Sequence, residues 1–489
     1  MDFNLIPIDL LTPGHYAEIN NNQAFRGLSG MPTKALVIGQ KLASGNAPTL
    51  QPLLITNIDQ AKAYFGPGSV LALMLERYKK VDGTIECHAI AQADEGAATA
   101  ATGSIAFTGP ATAAGVLNLY VSGRRIRAGV TAGQTAAATA TAIAAAINAA
   151  ADLPLTAAVD GEDTHIVVLT AKNKGEVGNQ IPVLFNYYAD ELTPAGLNHA
   201  VTAMSGGATS PEVTDVLDAI GDAWYTDFVM PYLDASNQTA MKEELERRWG
   251  PMVSIDGMCW MAESKTHAQL VSAGLTRNTH TMSYLGHQGA PMSAFEWAAA
   301  YAAACTFALK NDPARPVQTR ELTGLLPPPV THRFTREERN ILLQNGISTF
   351  AVDEGGIVRI ERAVTAYRRN ATGAVDRSYL DVETVKTLSY LRFDLRNWAS
   401  LRFPDYKLAD DGAPIAPGQR IVTPKTFKAA LAGRLRQWGE AGLIENVEWV
   451  IENTVVERDA DDRNRLNILL PVDIINQFRV GAYNIEFRL

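Results

Sequence analysis

The 489-residue sequence has little of what marks membrane, secreted or nucleic-acid-binding proteins. Its longest apolar stretch, 297–309, is too short and too rich in alanine to span a bilayer. The N-terminus has no basic segment followed by an apolar one, so no secretory signal is predicted. Because 43 basic residues face 52 acidic ones, the net charge is −9, which argues against nucleic-acid binding. The three cysteines are scattered and lack metal-site spacing, which fits a reducing compartment.

Motifs of catalysis and cofactor binding are also absent or incomplete. The segment 66–71 (GPGSVL) lacks the third glycine of a dinucleotide-binding loop and follows a predicted helix, so it predicts a turn between two helices. Cys87 and His88 are neighbours, but adjacent strand residues point to opposite faces and cannot form a dyad. His280 and His287 have no third metal ligand. We therefore expect no catalytic, cofactor-binding or metal-binding residues.

Periodicity and composition divide the chain into several regions. Strands alternate with helices in 31–94 and in 206–330, which predicts one mostly parallel sheet, covered by helices on both faces and split by an insertion. Residues 95–205 are rich in Ala, Thr and Gly, and they predict a self-contained β-rich domain with one helix and flanking hinges. Residues 331–477 predict an α+β domain. The predicted fold class is thus multidomain, with α/β and α+β parts.

Both ends of the chain predict extended arms, at 1–30 and 478–489. Apolar residues alternate there with mostly polar ones, a period of two that is typical of strands with one buried face. The apolar positions are Ile6, Ile8, Leu10, Tyr16 and Ile19 in the N-terminal arm and Tyr483, Ile485, Phe487 and Leu489 in the C-terminal arm. Chain ends usually fray. We therefore expect these arms either to close on their own chain or to be donated to neighbours.

Local signals are specific in the last third of the chain. The run 335–338 (TREE) predicts a capping box at a helix start. The pair 423–424 (Thr-Pro) predicts an N-cap followed by proline at the first helical position. The segments 447–457 and 466–470 predict the two strands of a long hairpin around a charged turn.

Several short runs in this region resemble the tail sheath proteins of Mu-like contractile-tailed bacteriophages. They are 365–370 (TAYRRN), 378–382 (SYLDV), 407–412 (KLADDG), 421–424 (IVTP), 462–467 (DRNRLN) and 471–478 (PVDIINQF). Near the front, 13–18 (PGHYAE) and 65–69 (FGPGS) are similar to the same family. The order of elements and the chain length also agree, so the resemblance covers nearly the whole chain.

The resemblance implies a structural protein without enzymatic activity or cofactors. Family subunits form stacked hexameric rings around a tail tube, and contraction drives the tube through the host envelope. The implied partners are other copies of the chain, the tail tube protein, and baseplate and tail terminator proteins, without direct nucleic-acid contact or membrane insertion. The implied location is the virion, with assembly in the host cytoplasm.

The resemblance also implies roles for the predicted domains. The α/β domain and the C-terminal domain, which faces the tube, form the sheath-type core, and the insertion is an outer domain. The terminal arms reach adjacent subunits and complete a small sheet in their C-terminal domains. The residues of the strand-accepting hairpin are Trp449, Ile451, Val455, Ile468 and Leu470.

Some alternatives stay open. Arg392, Arg396, Lys428 and Arg434 lie either on a solvated helix face or in contacts with the tube or a neighbouring subunit. The particle is either an infectious phage or a defective, bacteriocin-like one. An α/β enzyme would instead carry its site at the carboxyl ends of the strands, near 232–234 and 263–264.

Overall fold

The structure is a computed structural model that describes residues 28, 30–414, 416 and 418–488. Its contacts divide these residues into two compact units. The large unit comprises 32–389 and 476–488, and the small unit comprises 390–475 together with 28, 30 and 31. The predicted N-terminal strand residues Ile6, Ile8, Leu10, Tyr16 and Ile19, and the C-terminal Leu489, lie outside the described residues.

The large unit contains an α/β part that is interrupted by an insertion. Before the insertion, the elements are β1 (Lys34–Gln40), β2 (Leu53–Leu54), α1 (Ile58–Phe65), α2 (Val70–Val81) and β3 (Glu86–Gln92). The insertion contains β4 (Thr102–Thr108), β5 (Gly115–Val121), β6 (Arg124–Val130), α3 (Ala136–Ala149), β7 (Leu155–Val159), β8 (Ile166–Ala171), a 3₁₀ turn (Glu176–Gln180), β9 (Val183–Phe185) and β10 (Asn198–Ser205). After it come α4 (Val213–Ile220), β11 (Asp227–Val229), α5 (Ala235–Trp249), β12 (Met258–Ser264), α6 (His267–Thr276), β13 (Met282–His287), α7 (Ala294–Asn311), a 3₁₀ turn (Val330–His332), α8 (Arg336–Gln344), β14 (Ile347–Val352) and β15 (Val358–Arg362).

One twisted sheet forms the centre of the α/β part. Its strand order is β15-β14-β13-β12-β11-β1-β3-β2. Neighbours from β14 to β3 are parallel, and the edge strands β2 and β15 are antiparallel. Helix α7 is buried along most of its length, because its run of alanines lets it lie close against the sheet. The fold is therefore a mixed α/β one, as its alternating pattern predicts.

The insertion has its own sheets and its own apolar core. Strands β10-β4-β8-β7 form one sheet, and β6-β5-β9 form a second. Helix α3 contributes Ala140, Ile143 and Ile147 to a buried cluster that is separate from the core of the α/β part. Its side-chain cap is Thr135, whose oxygen accepts a hydrogen bond from the amide of Ala138.

Helix α9 (Val382–Arg402) belongs to the large unit up to Ser389 and to the small unit from Tyr390. The other elements of the small unit are β16 (Lys407–Leu408), β17 (Ile421–Val422), α10 (Pro424–Glu440), α11 (Val447–Asn453), β18 (Val455–Arg458) and β19 (Leu466–Leu469). The predicted Thr423 cap and the capping box at Thr335 are both confirmed. None of the described helices combines the length and the apolar composition that a membrane span requires.

The prediction of one continuous strand over 447–457 is wrong. Its first part is helix α11, and only 455–458 forms a strand. Val447, Val450 and Ile451 have the i, i+3, i+4 spacing of a helix face, and Val450 is fully buried. The β-branched residues of this segment favour a strand by propensity, but packing overrides that preference.

Candidate assembly interface

The C-terminal segment 476–488 forms no strand with any described residue of its own chain. Phe478, Val480, Tyr483, Ile485 and Phe487 are between 74% and 87% exposed. The predicted strand 478–489 is not seen in its described part, 478–488, because a period of two creates a buried face only when the strand pairs. Exposed apolar side chains in such a run are typical of interaction sites, so this segment is a candidate interface.

The base of this segment is held by ion pairs. The guanidinium of Arg479 lies 3.1 Å from Asp381 Oδ1 and 2.9 Å from Glu383 Oε2. Asp381 also accepts two hydrogen bonds from Arg362, at 2.9 and 3.0 Å. Gln477 donates to the carbonyl of Ala314. The chain is therefore anchored up to Arg479 and exposed beyond it.

The carboxyl of Glu383 is fully buried at this anchor and accepts a hydrogen bond from the amide of Val317. Burial raises the pKa of Glu383, and the charge of Arg479 opposes that shift. Arg479 thus compensates a carboxylate that its surroundings would otherwise disfavour. The sequence does not predict this anchor, because Arg479 is a single polar residue before an apolar segment and its partners Asp381 and Glu383 are far away in the chain.

The small unit carries a short hairpin, β18–β19, in which each strand pairs only with the other among the described residues. Val455 and Leu469 lie directly opposite each other and are 47% and 65% exposed. Two strands alone are only marginally stable, and a third strand with an apolar face would stabilise them. Of the predicted acceptor residues, Val455 and Ile468 lie on this hairpin, and Leu470 follows it.

Two of the predicted acceptor positions are corrected by the structure. Trp449 and Ile451 belong to helix α11 rather than to a strand, so they cannot form part of the hairpin ladder. Trp449 is nevertheless about half exposed, as an aromatic residue at a contact surface would be.

The four basic residues that are candidates for contacts with the tube or a neighbour differ in burial and in partners. Arg434 is buried, and its Nε donates to Asp394 Oδ2 at 2.7 Å, so the prediction that it contacts another protein is wrong. Its helix face turns inward because the same carboxylate also accepts from the indole of Trp438. Lys428 donates to the carbonyl of Thr454 at 2.6 Å. Arg392 is half-buried and Arg396 is exposed on α9.

Two residues of the enzyme alternative have structural partners. Asp234 caps helix α5. The hydroxyl of Tyr232 is buried without a hydrogen-bond partner among the described residues. Glu263 pairs with Arg277 and Lys265. Burial raises the pKa of Cys87 to about 12. Within the described ranges, no three His, Cys, Asp or Glu side chains are arranged to hold a metal ion.

Comparisons with known proteins agree with the sequence resemblance. Residues 206–366 match the phage tail sheath protein central domain, and residues 374–488 match the phage tail sheath C-terminal domain. The Mu-like prophage FluMu tail sheath protein of Haemophilus influenzae is 39% identical over 492 residues, covering 100% of both chains.

Solved sheath structures are more distant. The sheath tail protein of Desulfitobacterium hafniense is 12% identical, with a TM-score of 0.48, covering 94% of this chain and 100% of that one. The sheath tail protein of Listeria innocua is also 12% identical, with a TM-score of 0.49, covering 92% and 94%. The sequence matches alone carry the assignment: this chain belongs to the phage tail sheath protein family.

Proposed function

We propose that this chain is the subunit of a contractile tail sheath. It polymerises as stacked hexameric rings around a tail tube and shortens to drive the tube through the host envelope for genome ejection. It assembles in the host cytoplasm and contacts the tube, baseplate and tail terminator proteins in the virion. Residues 31–94 and 206–330 form the core together with 331–477. Within 331–477, strands β14 and β15 complete the central sheet, and the later part faces the tube. Residues 95–205 face outward.

The exposed C-terminal arm is the observation that carries this proposal. Tyr483, Ile485 and Phe487 alternate with polar residues, and all are exposed in the single chain. Pairing with a strand of another copy would bury one face and satisfy the backbone, at roughly 1 kcal/mol net for each hydrogen bond. Each link is modest, but it recurs in every subunit of a polymer.

Hairpin β18–β19 of a neighbouring copy is the proposed acceptor. Its outer edges are free of other described strands, and Val455 and Leu469 expose an apolar face to which an arm can add. The N-terminal residues Ile6, Ile8, Leu10, Tyr16 and Ile19 are proposed to act as a second donated arm. Arg392, Arg396 and Lys428 are proposed contacts with the tube or a neighbour.

Removal of Tyr483 to Leu489 tests the proposal. We expect the truncated chain to fold as a monomer with an unchanged melting temperature, because the described residues of this segment, 483–488, are exposed. We expect it to form no polymers at concentrations where the full chain forms hollow striated tubes or rings by negative-stain electron microscopy. Sedimentation velocity gives the same comparison in solution.

Two double variants of the arm separate the effect of its apolar face from the effect of its net charge. Ile485→Asp with Phe487→Asp alters the apolar face, whereas Asn484→Asp with Arg488→Gln alters the polar face by the same net charge. Polymers should be lost only in the first variant. Normal tubes from the truncated chain would overturn the arm-donation proposal.

A further inference from the structure

The central sheet has a point at which its strand order reverses. Strand β3 lies on one side of β1, and β11 lies on the other. In open α/β sheets, ligands bind outside the carboxyl ends of the strands at such a point, often at a helix N-terminus. In this chain the corresponding groups are the end of β1 at Gln40 and the start of α2 at Val70.

Asn173 of the insertion lies at these strand ends, beside the start of α2. The side-chain oxygen of Asn173 accepts a hydrogen bond from the amide of Val70, the first residue of α2, at 3.0 Å. Its side-chain nitrogen donates to the carbonyl of Lys41 at 3.1 Å and to Asp94 Oδ1 at 3.0 Å. Asn173 is 3% exposed, so all three bonds lie in a closed contact between the insertion and the α/β part.

The carboxylate of Asp94 joins the same contact. Its Oδ1 accepts from the side chain of Gln40 at 2.6 Å, and its Oδ2 accepts from the amide of Lys174 at 2.9 Å. Gln40 also donates to the carbonyl of Lys174 at 2.8 Å. The side-chain nitrogen of Gln40 at the end of β1 is thus bonded to the insertion, whereas its side-chain oxygen has no partner among the described residues.

The turn before α2 is shaped for this contact. Gly68 has a φ of +81°, and a Cβ at this position would lie 2.2 Å from the carbonyl oxygen of Leu153 in the insertion. Nearby, Lys62 pairs with Asp152 at 2.7 Å. The glycine turn that superficially resembles a dinucleotide loop therefore receives a segment of its own chain.

A second contact lies at the turn between β5 and β6. Ser122 is fully buried, and its hydroxyl contacts Ser293 at 2.6 Å and also Glu296. Arg124 donates to Glu296 at 3.0 Å and to Glu76 at 2.8 Å. Arg77 also donates to Glu296 at 3.0 Å. The insertion therefore supplies one of the two guanidinium groups that pair with a fully buried carboxylate.

The charges in this cluster depend on one another. Burial alone would raise the pKa of Glu76, but the attraction of Arg124, with Lys80 and Arg77, outweighs burial and lowers that pKa to about 2. Removing one partner from a buried ion cluster leaves an uncompensated charge, which is strongly unfavourable.

We infer that the insertion is an intramolecular ligand of the α/β part: its Asn173 segment fills the crevice at the strand ends, and its β5–β6 turn completes the Glu296 ion cluster. The insertion is then fixed at two separate places rather than hinged, in contrast to the sequence expectation. The crevice is closed to small anionic ligands by the chain itself. This inference does not depend on the sheath function.

Hydrogen–deuterium exchange of the full chain, at concentrations where it is monomeric, tests the first contact. Asn173→Ala should raise the exchange rate of the Val70 amide about tenfold, because one hydrogen bond is lost. Asn148→Ala is the matched control, since among the described residues the Asn148 amide bonds to the backbone of Ala157, within the insertion. It should leave Val70 protected.

Thermal unfolding tests the second contact. Arg124→Ala should lower the melting temperature by about 5 °C or more, whereas Arg127→Ala on the exposed face of the same strand should not. If Arg124→Ala fails to fold while Arg127→Ala folds, the contact is likewise supported. Unchanged Val70 exchange in Asn173→Ala, or equal melting of the two arginine variants, would overturn the inference.

Discussion

The insertion and the C-terminal arm differ in where their contacts are made. The insertion bonds to the α/β part of its own chain through buried polar groups such as Asn173 and Arg124. The arm is anchored at Arg479 but leaves Ile485 and Phe487 in water. The first region is part of a folded body, and the second exposes an apolar face. The difference identifies the part of the chain that the proposed function assigns to other copies.

The chemistry of the two regions suits these roles. Buried ion clusters require fixed geometry and lose stability when one partner is missing, so the Glu296 cluster ties the insertion to the α/β part of its own chain. An extended apolar strand requires only an exposed sheet edge, and it binds through repeated backbone hydrogen bonds. In the proposed sheath, links of the second kind would let subunits rotate against one another while the folded body of each subunit stays intact.

Deletion of the insertion should produce the largest effect on folding. Thr99 and Ala208 are bridged, so 100–207 can be replaced by a short Gly-Ser linker without stretching the chain. We expect loss of cooperative unfolding in circular dichroism, because Glu296 loses Arg124 and the start of α2 loses Asn173. Replacing only Glu162 and Asp163 in the exposed turn 161–163 by glycine is the control and should leave unfolding unchanged. If the chain without 100–207 unfolds as cooperatively as the full chain, the insertion does not stabilise the α/β part.

The sequence predicts most elements of the fold but not the contacts between them. Capping residues such as Thr335 and Thr423 act locally, so their helices are predicted correctly. The contact between Asn173 and Val70 joins residues far apart in the chain, and no local pattern encodes it. For the candidate site, the alternation of the arm is visible in the sequence, whereas the anchor at Arg479 and the burial of Arg434 depend on tertiary packing.

A buried histidine of the α/β part makes the stability of the folded chain depend on pH without involving the C-terminal arm. His287 is fully buried against Trp297, with 4.6 Å between ring centroids, and neither ring nitrogen has a hydrogen-bond partner among the described residues. Burial lowers the pKa of His287 from 6.5 to about 3. Between these values the unfolded chain binds the proton and the folded chain does not, so stability falls as pH decreases below 6.5. The expected loss at pH 5 relative to pH 8 is about 2 kcal/mol.

Urea unfolding of His287→Phe at both pH values measures this contribution. The variant should lose this part of the acid sensitivity, and His165→Phe, a half-buried histidine of the insertion, serves as the control. Equal pH dependence in the wild-type chain and His287→Phe would contradict the prediction. Because the arm does not contact His287 in the described residues, assembly at neutral pH should be unchanged in the variant.

The smallest expected effect lies at the junction between the anchored and the exposed segments. Arg479→Ala should lower the free energy of unfolding at pH 7 by about 1 to 2 kcal/mol, since Glu383 loses its cationic partner. The buried carboxyl can then take up a proton, and its pKa rises further. A raised carboxyl pKa in the folded state makes stability fall as pH increases, so the loss should be larger at pH 8 than at pH 5.

Two variants separate this anchor from the arm itself. Arg479→Lys keeps the charge and should recover part of the stability, whereas Arg488→Ala on the exposed arm should not change the unfolding of the monomer. Limited proteolysis should cut the segment after residue 476 faster in Arg479→Ala, because its base is released. If Arg479→Ala unfolds like the wild-type chain at both pH values, the ion pairs of Arg479 do not contribute to the free energy of unfolding. The exposed arm would then begin before residue 479.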